Sequence, residues 1–174
     1  QRLAGSARLG YLPENGPLYL DMTPKSLLTF FADARGMKAN YRADRIDAVV
    51  DICQINTVVH KPIGKLSKGY RQRVGMAQSL LHEPDVLILD EPTAGLDPNQ
   101  IHEVRDTMRR IGQEKTILLS THILQEVEAM ASRVILINEG NLAFDGPVRE
   151  LGESGDLESA FAELTRPQAT IVDA

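Results

Sequence analysis

Apolar positions change period twice along this chain. Residues 9–12 (LGYL) read as a short strand, and the PENGP that follows is built of turn formers. From residue 21 the period is helical. Thr23 and Pro24 have the chemistry of an N-cap and a first helical residue. Leu27, Leu28, Phe30, Phe31 and Ala34 are expected to line one side, with the two phenylalanines in the core, and Gly36 ends the run. A second helix is expected over about 41–54, with Ile46, Val49, Val50 and Cys53 at helical spacing. A third is expected over about 68–82, carrying Val74, Ala77 and Leu81.

After residue 83 the pattern alternates. VLIL at 86–89, TILLS at 116–120 and VILIN at 134–138 are short continuous apolar runs, the signature of strands buried on both faces. Asp97 as N-cap, Pro98, and the stripe Ile101, Val104, Met108, Ile111 up to Gly112 predict a helix between the first two runs, and another is expected over about 122–131. Strand, helix, strand, helix, strand predicts an α/β fold, a mostly parallel sheet flanked by helices, with its ligand site at the carboxyl ends of the strands. Glu139-Gly140-Asn141 then turns the chain into a hairpin strand, LAF; helical segments follow over 147–165, and 166–174 reads as a loose tail. The chain thus divides into a strand and loop at 1–20, an inserted helical subdomain at 21–83, an α/β core at 84–165, and the tail.

Composition narrows the class of function. The 174 residues are 43% hydrophobic and 25% charged, the balance of an ordinary globular protein. With 19 basic and 24 acidic side chains the net charge is −5, which argues against a general nucleic-acid binder. No apolar run approaches the roughly 18 to 20 residues that cross a bilayer, and QRLAGSARLG lacks the apolar core of a signal peptide, so any membrane link is expected to run through a partner. One cysteine, Cys53, excludes an internal disulfide, and no Cys or His cluster has zinc-ligand spacing.

The strongest chemical signal is VLILDEPTAGLD at 86–97, where four apolar residues deliver Asp90 and Glu91 to the end of a strand. Two carboxylates there are costly unless something positive meets them. A magnesium ion carrying nucleotide phosphates is the economical candidate: Asp90 would orient the metal through its water shell and Glu91 would polarise an attacking water. The plain alternative is a strand-end turn with solvated acids. In LSKGYRQR at 66–73, Ser67, Lys68 and Gly69 open a helix whose N–H groups suit an anion, with a simple serine cap as the alternative. His122, after TILLS, could hold a terminal phosphate through a ring N–H, or could be an ordinary surface histidine.

The order LSKGYRQR, DEPTAGLD, STH resembles the nucleotide-binding subunit of ATP-binding-cassette transporters over roughly residues 8–165. YLPENGPLY and DLESAFAELT resemble the single-cassette export type, including cassettes related to gliding motility. The resemblance implies a P-loop NTPase-like fold and ATP with Mg2+ as cofactors. Leu66–Tyr70 then correspond to the signature loop, Asp90 and Glu91 to the Walker B pair, Ala94–Asp97 to the D-loop and His122 to the switch histidine. Asp97 joins Ser67, Lys68 and Gly69 among the nucleotide-contacting residues, and Glu91 and His122 are the catalytic ones. Glu14, in PENGPLY, falls where most members carry the Q-loop glutamine; with Asp90 it is assigned to the metal, since a carboxylate attracts the cation more strongly than an amide. Lys68 and Tyr70 stand where glycine and glutamine are commonest. The implied partners are a second cassette, in a homodimer or heterodimer, and transmembrane permease subunits, with the chain peripheral on the cytoplasmic side of the membrane.

A P-loop needs Gly, four residues, then Gly-Lys-Ser/Thr. Gly5/Gly10 and Gly64/Gly69 have the spacing but are followed by tyrosine, and Gly64-Lys65 is preceded at the required distance by Val59. The chain therefore reads as an N-terminally truncated cassette that lacks its first strand and P-loop. A degenerate, non-catalytic cassette acting as a docking partner is the second reading. A chromosome-maintenance or DNA-repair ATPase is disfavoured by the short spacing between Glu14 and Ser67, which leaves no room for a long coiled coil. Phe30 and Phe31 have a second reading as part of a surface docking groove.

Overall fold

A computed structural model describes residues 5, 7–152 and 157–166; the expected tail beyond Arg166 lies outside the described residues. The chain forms two compact units, residues 1–120 and 121–174.

The first unit is built on β1 (Leu9–Leu12), β2 (Val86–Asp90) and β3 (Thr116–Ser120), parallel in that order. Tyr11, Ile88 and Leu118 share one row, and Asp90 pairs with Ser120. Between β1 and β2 run α1 (Pro24–Ala34), α2 (Ala39–Ile52), two short 3₁₀ turns, and α3 (Lys68–Leu80); α4 (Pro98–Gly112) links β2 to β3. The helix starts follow their caps. Thr23 accepts from Ser26 N–H, with the Ser26 hydroxyl accepting from Thr23 N–H in return, and Asp97 accepts from Gln100 N–H with Pro98 at the first position.

Helix α3 is the hub, touching α1, α2, α4 and β1. Val74, Met76 and Ala77 are fully buried, as are Leu27 and Leu28 of α1, Val49 of α2, Leu87 and Leu89 of β2, and Val104 of α4. Two glycines let α3 lie directly on β1. A Cβ on Gly10 would stand 2.5 Å from the Ser79 carbonyl oxygen, and one on Gly75 would stand 2.6 Å from Leu12 Cδ1. Cys53 closes α2 inside this core, where burial pushes its thiol up to about 12.

Two expectations about burial are corrected here. Among the described residues the strands are covered on one face: Leu87 and Leu89 are buried, but Tyr11 and Leu118, in one row on the opposite face, are 54% and 52% exposed. A continuous apolar run identifies a strand and does not say whether a layer lies on each side of it. Phe30 does not fill the core. The buried stripe of α1 is Pro24, Leu27, Leu28 and Ala32, which leaves Phe30 exposed, Phe31 half-buried and Ala34 exposed. The Phe30 ring meets Tyr19 and Phe31 edge to face, with centroids 5.8 and 5.4 Å apart.

The second unit contains α5 (Leu124–Met130), β4 (Arg133–Asn138), β5 (Asn141–Pro147), α6 (Val148–Gly152) and α7 (Leu157–Leu164). The VILIN run does not join the parallel sheet among the described residues: β4 pairs antiparallel with β5. The two-residue turn Glu139-Gly140 explains the hairpin, since both residues have positive φ, 49° and 79°, matching the twist of the flanking strands. Leu151, Leu157 and Ala160 form its core, with Leu124, Val127, Val134 and Phe144 packed against them.

Candidate functional site: the strand-end carboxylates and the signature loop

Strand β2 ends by delivering two acids in different conformations. Asp90 is its last residue, and the register sets it beside Ser120, the last residue of β3. The Ser120 hydroxyl donates to Asp90 Oδ1 at 2.5 Å. Glu91 leaves the strand with φ 44°, an uncommon left-handed conformation for a non-glycine residue, and its N–H donates to the Ser120 carbonyl oxygen at 3.1 Å. The tip of β3 therefore orients one carboxylate and anchors the backbone of the next.

The chain then folds back in a tight loop. Ala94 N–H donates to the Glu91 carbonyl at 3.1 Å, Leu96 N–H to the Thr93 carbonyl at 3.2 Å, and Gly95 takes φ 66°. Asp97 ends the loop as the cap of α4. Its Oδ1 accepts from Gln100 N–H at 3.0 Å, and its Oδ2 accepts from the Gln100 side-chain amide.

Opposite lies the start of α3. The Ser67 hydroxyl accepts from Tyr70 N–H at 3.3 Å, the expected cap. Gly69 N–H donates to Gln100 Oε1 at 3.1 Å, and the Lys68 ammonium donates to the Ala94 carbonyl oxygen. Ser67, Lys68, Gly69 and Asp97 are thus brought together, in a hydrogen-bonded junction of two loops. The positive charge of Lys68 is directed at the loop carbonyl, where the sequence suggested that it would face solvent or a phosphate.

Glu14 is also on this unit. It is exposed and lines a cleft of about 350 Å³ with Leu12, Lys68, Arg71, Gln72 and Gly75, and its carbonyl accepts from Gln72 Nε2 at 3.5 Å. His122 belongs to the second unit, as an exposed residue between Thr121 and α5. There the Thr121 hydroxyl accepts from Ile123 N–H at 3.1 Å and donates to the buried Glu126 at 2.8 Å, which shapes the turn that carries His122.

Two contributors escaped sequence reasoning. Ser120 was legible only as the last residue of TILLS; equal strand lengths in a parallel register would have pointed to its pairing with Asp90. Gln100 stands three residues after the Asp97 cap, the spacing of a capping box, and that signal was available. Its reach across to Gly69 was not.

Comparison with known proteins gives the family. The family model described as ABC transporter matches residues 3–94, and one described as AAA domain, putative AbiEii toxin, Type IV TA system matches residues 62–128. The bacitracin transport ATP-binding protein BcrA of Bacillus licheniformis is 38% identical over 146 residues, which is 83% of this chain and 47% of that protein. The ABC transporter ATP-binding protein NatA of Bacillus subtilis is 36% identical over 138 residues, 79% of this chain and 56% of that one. A solved structure described as an ATP binding subunit of an ABC transporter superposes with a TM-score of 0.74 at 28% identity, covering 92% of this chain and 69% of the other. The chain spans about half the length of the curated relatives it matches. With the DEP and LSKG motifs both in one parallel α/β unit, and more than half of its residues under the family model, the chain belongs to the ATP-binding cassettes of ABC transporters.

Proposed function

We propose that this chain supplies the hydrolytic carboxylates and the signature loop of a magnesium-dependent ATPase that powers transport through partner membrane subunits. The observation that carries this reading is the pair Asp90 and Glu91 at the carboxyl end of a parallel strand, with Asp90 oriented by Ser120. One carboxylate beside a hydroxyl fits magnesium, which takes one or two protein carboxylates and fills its shell with water and phosphate oxygens. Among the described residues no group of three or more His, Cys, Asp or Glu side chains forms an all-protein metal cage. Bound magnesium would neutralise the phosphates of ATP.

The chain's own residues then divide the work. Asp90 orients the ion through its water shell, with Glu14 as the second acid assigned to it. Glu91 accepts the proton of the attacking water, and His122 donates a ring N–H to the terminal phosphate. Ser67 and Gly69 face the nucleotide of a second cassette, while Lys68 and Asp97, engaged within the junction, hold that surface in shape. The phosphate cradle, which these 174 residues do not carry, comes in this reading from cassette sequence outside the chain. Residues 21–83 act as the helical subdomain. The exposed Tyr19, Leu20 and Phe30 suit docking to transmembrane permease subunits, with the cassette peripheral on the cytoplasmic side of the membrane. No described helix is long and apolar enough to cross a membrane.

The absence of a Gly-x4-Gly-Lys run and the acid at position 14 favour a second reading, a degenerate cassette that serves only as a docking partner. One experiment separates the two. In the complete protein Glu91→Gln should lower turnover by about 100-fold or more while ATP binding persists, because it removes the base and leaves the phosphate contacts. Wild-type protein that assembles with its partners but does not hydrolyse ATP would support the degenerate cassette, and near-normal hydrolysis by the variant would remove Glu91 from the mechanism.

A further inference from the structure

The junction between the signature loop and the 91–97 loop is reciprocal in a way that the reading above does not require. Gly69 makes room for Gln100: a Cβ there would stand 3.1 Å from both Cβ and Cγ of Gln100. Gly95 makes room for Lys68, since a Cβ there would stand 2.7 Å from the Lys68 ammonium nitrogen. The signature loop thus carries a glycine that receives a long side chain from the first turn of α4, and the 91–97 loop carries one that receives a long side chain from the signature loop.

Hydrogen bonds fix the direction of the Gln100 amide. Its Nε2 donates to Asp97 Oδ2, so its Oε1 is turned the other way, onto Gly69 N–H at 3.1 Å. Lys68 bonded to the Ala94 carbonyl keeps the two loops in register. The first N–H groups of a helix have no intrahelical acceptor and are what an anion at that end would bind. At the start of α3, Ser67 satisfies Tyr70 N–H and Gln100 satisfies Gly69 N–H.

We propose that Gln100 is a built-in competitor for the signature loop: its side-chain oxygen occupies the Gly69 N–H that a nucleotide phosphate oxygen needs, so phosphate binding at this loop requires Gln100 to let go. The inference rests on the proposed role of Ser67 and Gly69 toward nucleotide. A phosphate oxygen carries charge and makes the stronger bond, so it displaces the neutral amide oxygen at sufficient concentration. Gln100 then sets how much ATP the clamp needs. Because the same side chain is tied to Asp97, release of Gly69 also frees the amide at the end of the 91–97 loop, so the two loops respond to one event.

Two variants separate competition from loss of the α4 cap. Gln100→Ala and Gln100→Glu both remove the amide donor to Asp97, but only Gln100→Ala removes the acceptor over Gly69. In the complete protein without nucleotide, Gly69 amide exchange should lose protection in Gln100→Ala and keep it in Gln100→Glu. In ATP titrations Gln100→Ala should lower KM about fivefold, the equivalent of one net hydrogen bond, with kcat within about twofold of wild type. Gln100→Glu should leave KM at or above the wild-type value, since its carboxylate repels phosphate. Equal shifts in both variants, or an unchanged KM in Gln100→Ala, would overturn the competition while leaving the ATPase reading intact. Wild-type protein without ATP turnover would remove that reading and the competition together.

Discussion

Ser120 and Asp90 lie side by side at the ends of neighbouring parallel strands, and the hydroxyl of one donates to the carboxylate of the other at 2.5 Å. The same serine accepts Glu91 N–H on its carbonyl oxygen, so one residue of β3 orients both members of the acidic pair. A strand end is a rigid place from which to aim a carboxylate: β2 is paired on both sides up to Leu89, and Asp90 is paired with Ser120.

Replacing Ser120 with alanine should therefore loosen Asp90 without touching Glu91 chemistry. In the complete ATPase, Ser120→Ala should raise the magnesium concentration for half-maximal turnover about fivefold, the equivalent of one exposed hydrogen bond, with a smaller effect at saturating magnesium. A magnesium titration that superposes on wild type would show that Asp90 needs no such support.

Gly10→Ala should destabilise the first unit by about 1–3 kcal/mol, as overpacking does. The added Cβ meets the Ser79 carbonyl oxygen at 2.5 Å and Leu87 Cδ1 at 2.7 Å, and the first of these is backbone that cannot step aside. Urea unfolding should show a lower midpoint at unchanged slope. An unshifted midpoint would mean that α3 is not seated directly on β1.

His82 should make the protein lose stability on mild acidification. Burial holds its imidazole below the usual histidine value, an effect to which Arg35 and Arg45 add and which the Leu9 carbonyl opposes. Nε2 lies 2.9 Å from that carbonyl, and Nδ1 is buried without a hydrogen-bond partner among the described residues. The unfolded chain, with a pKa of about 6.5, takes up its proton first, so the contribution is complete above that pH and is lost as pH falls toward the folded value. Glu83, held low by Tyr41, and Asp85, held low by Arg8, lose theirs only at lower pH. Urea midpoints measured from pH 7.5 to 5.5 should fall in wild type and fall less in His82→Gln; parallel curves would exclude His82 as the source.

The local elements were legible because their causes are local. Thr23-Pro24 and Asp97-Pro98 start helices through bonds that span three residues, and Glu139-Gly140 makes a hairpin through the φ angles of two. The DEP and LSKG motifs were legible as residues, and so was their assignment to a strand end and a helix start.

Sequence alone determined the type, order and approximate positions of the strands and helices, which family the motifs resemble, and which acids and loops are candidates for ATP chemistry. Tertiary structure decided that VILIN, among the described residues, stays out of the parallel sheet, that Phe30 faces outward, that Lys68 bonds to Ala94, and that Gln100 covers Gly69. The physical reason is range. Caps and turns are settled within about four residues by backbone geometry, whereas the Lys68 and Gln100 contacts join positions 26 and 31 residues apart, and no period in the chain records which of several acceptors a long side chain will meet.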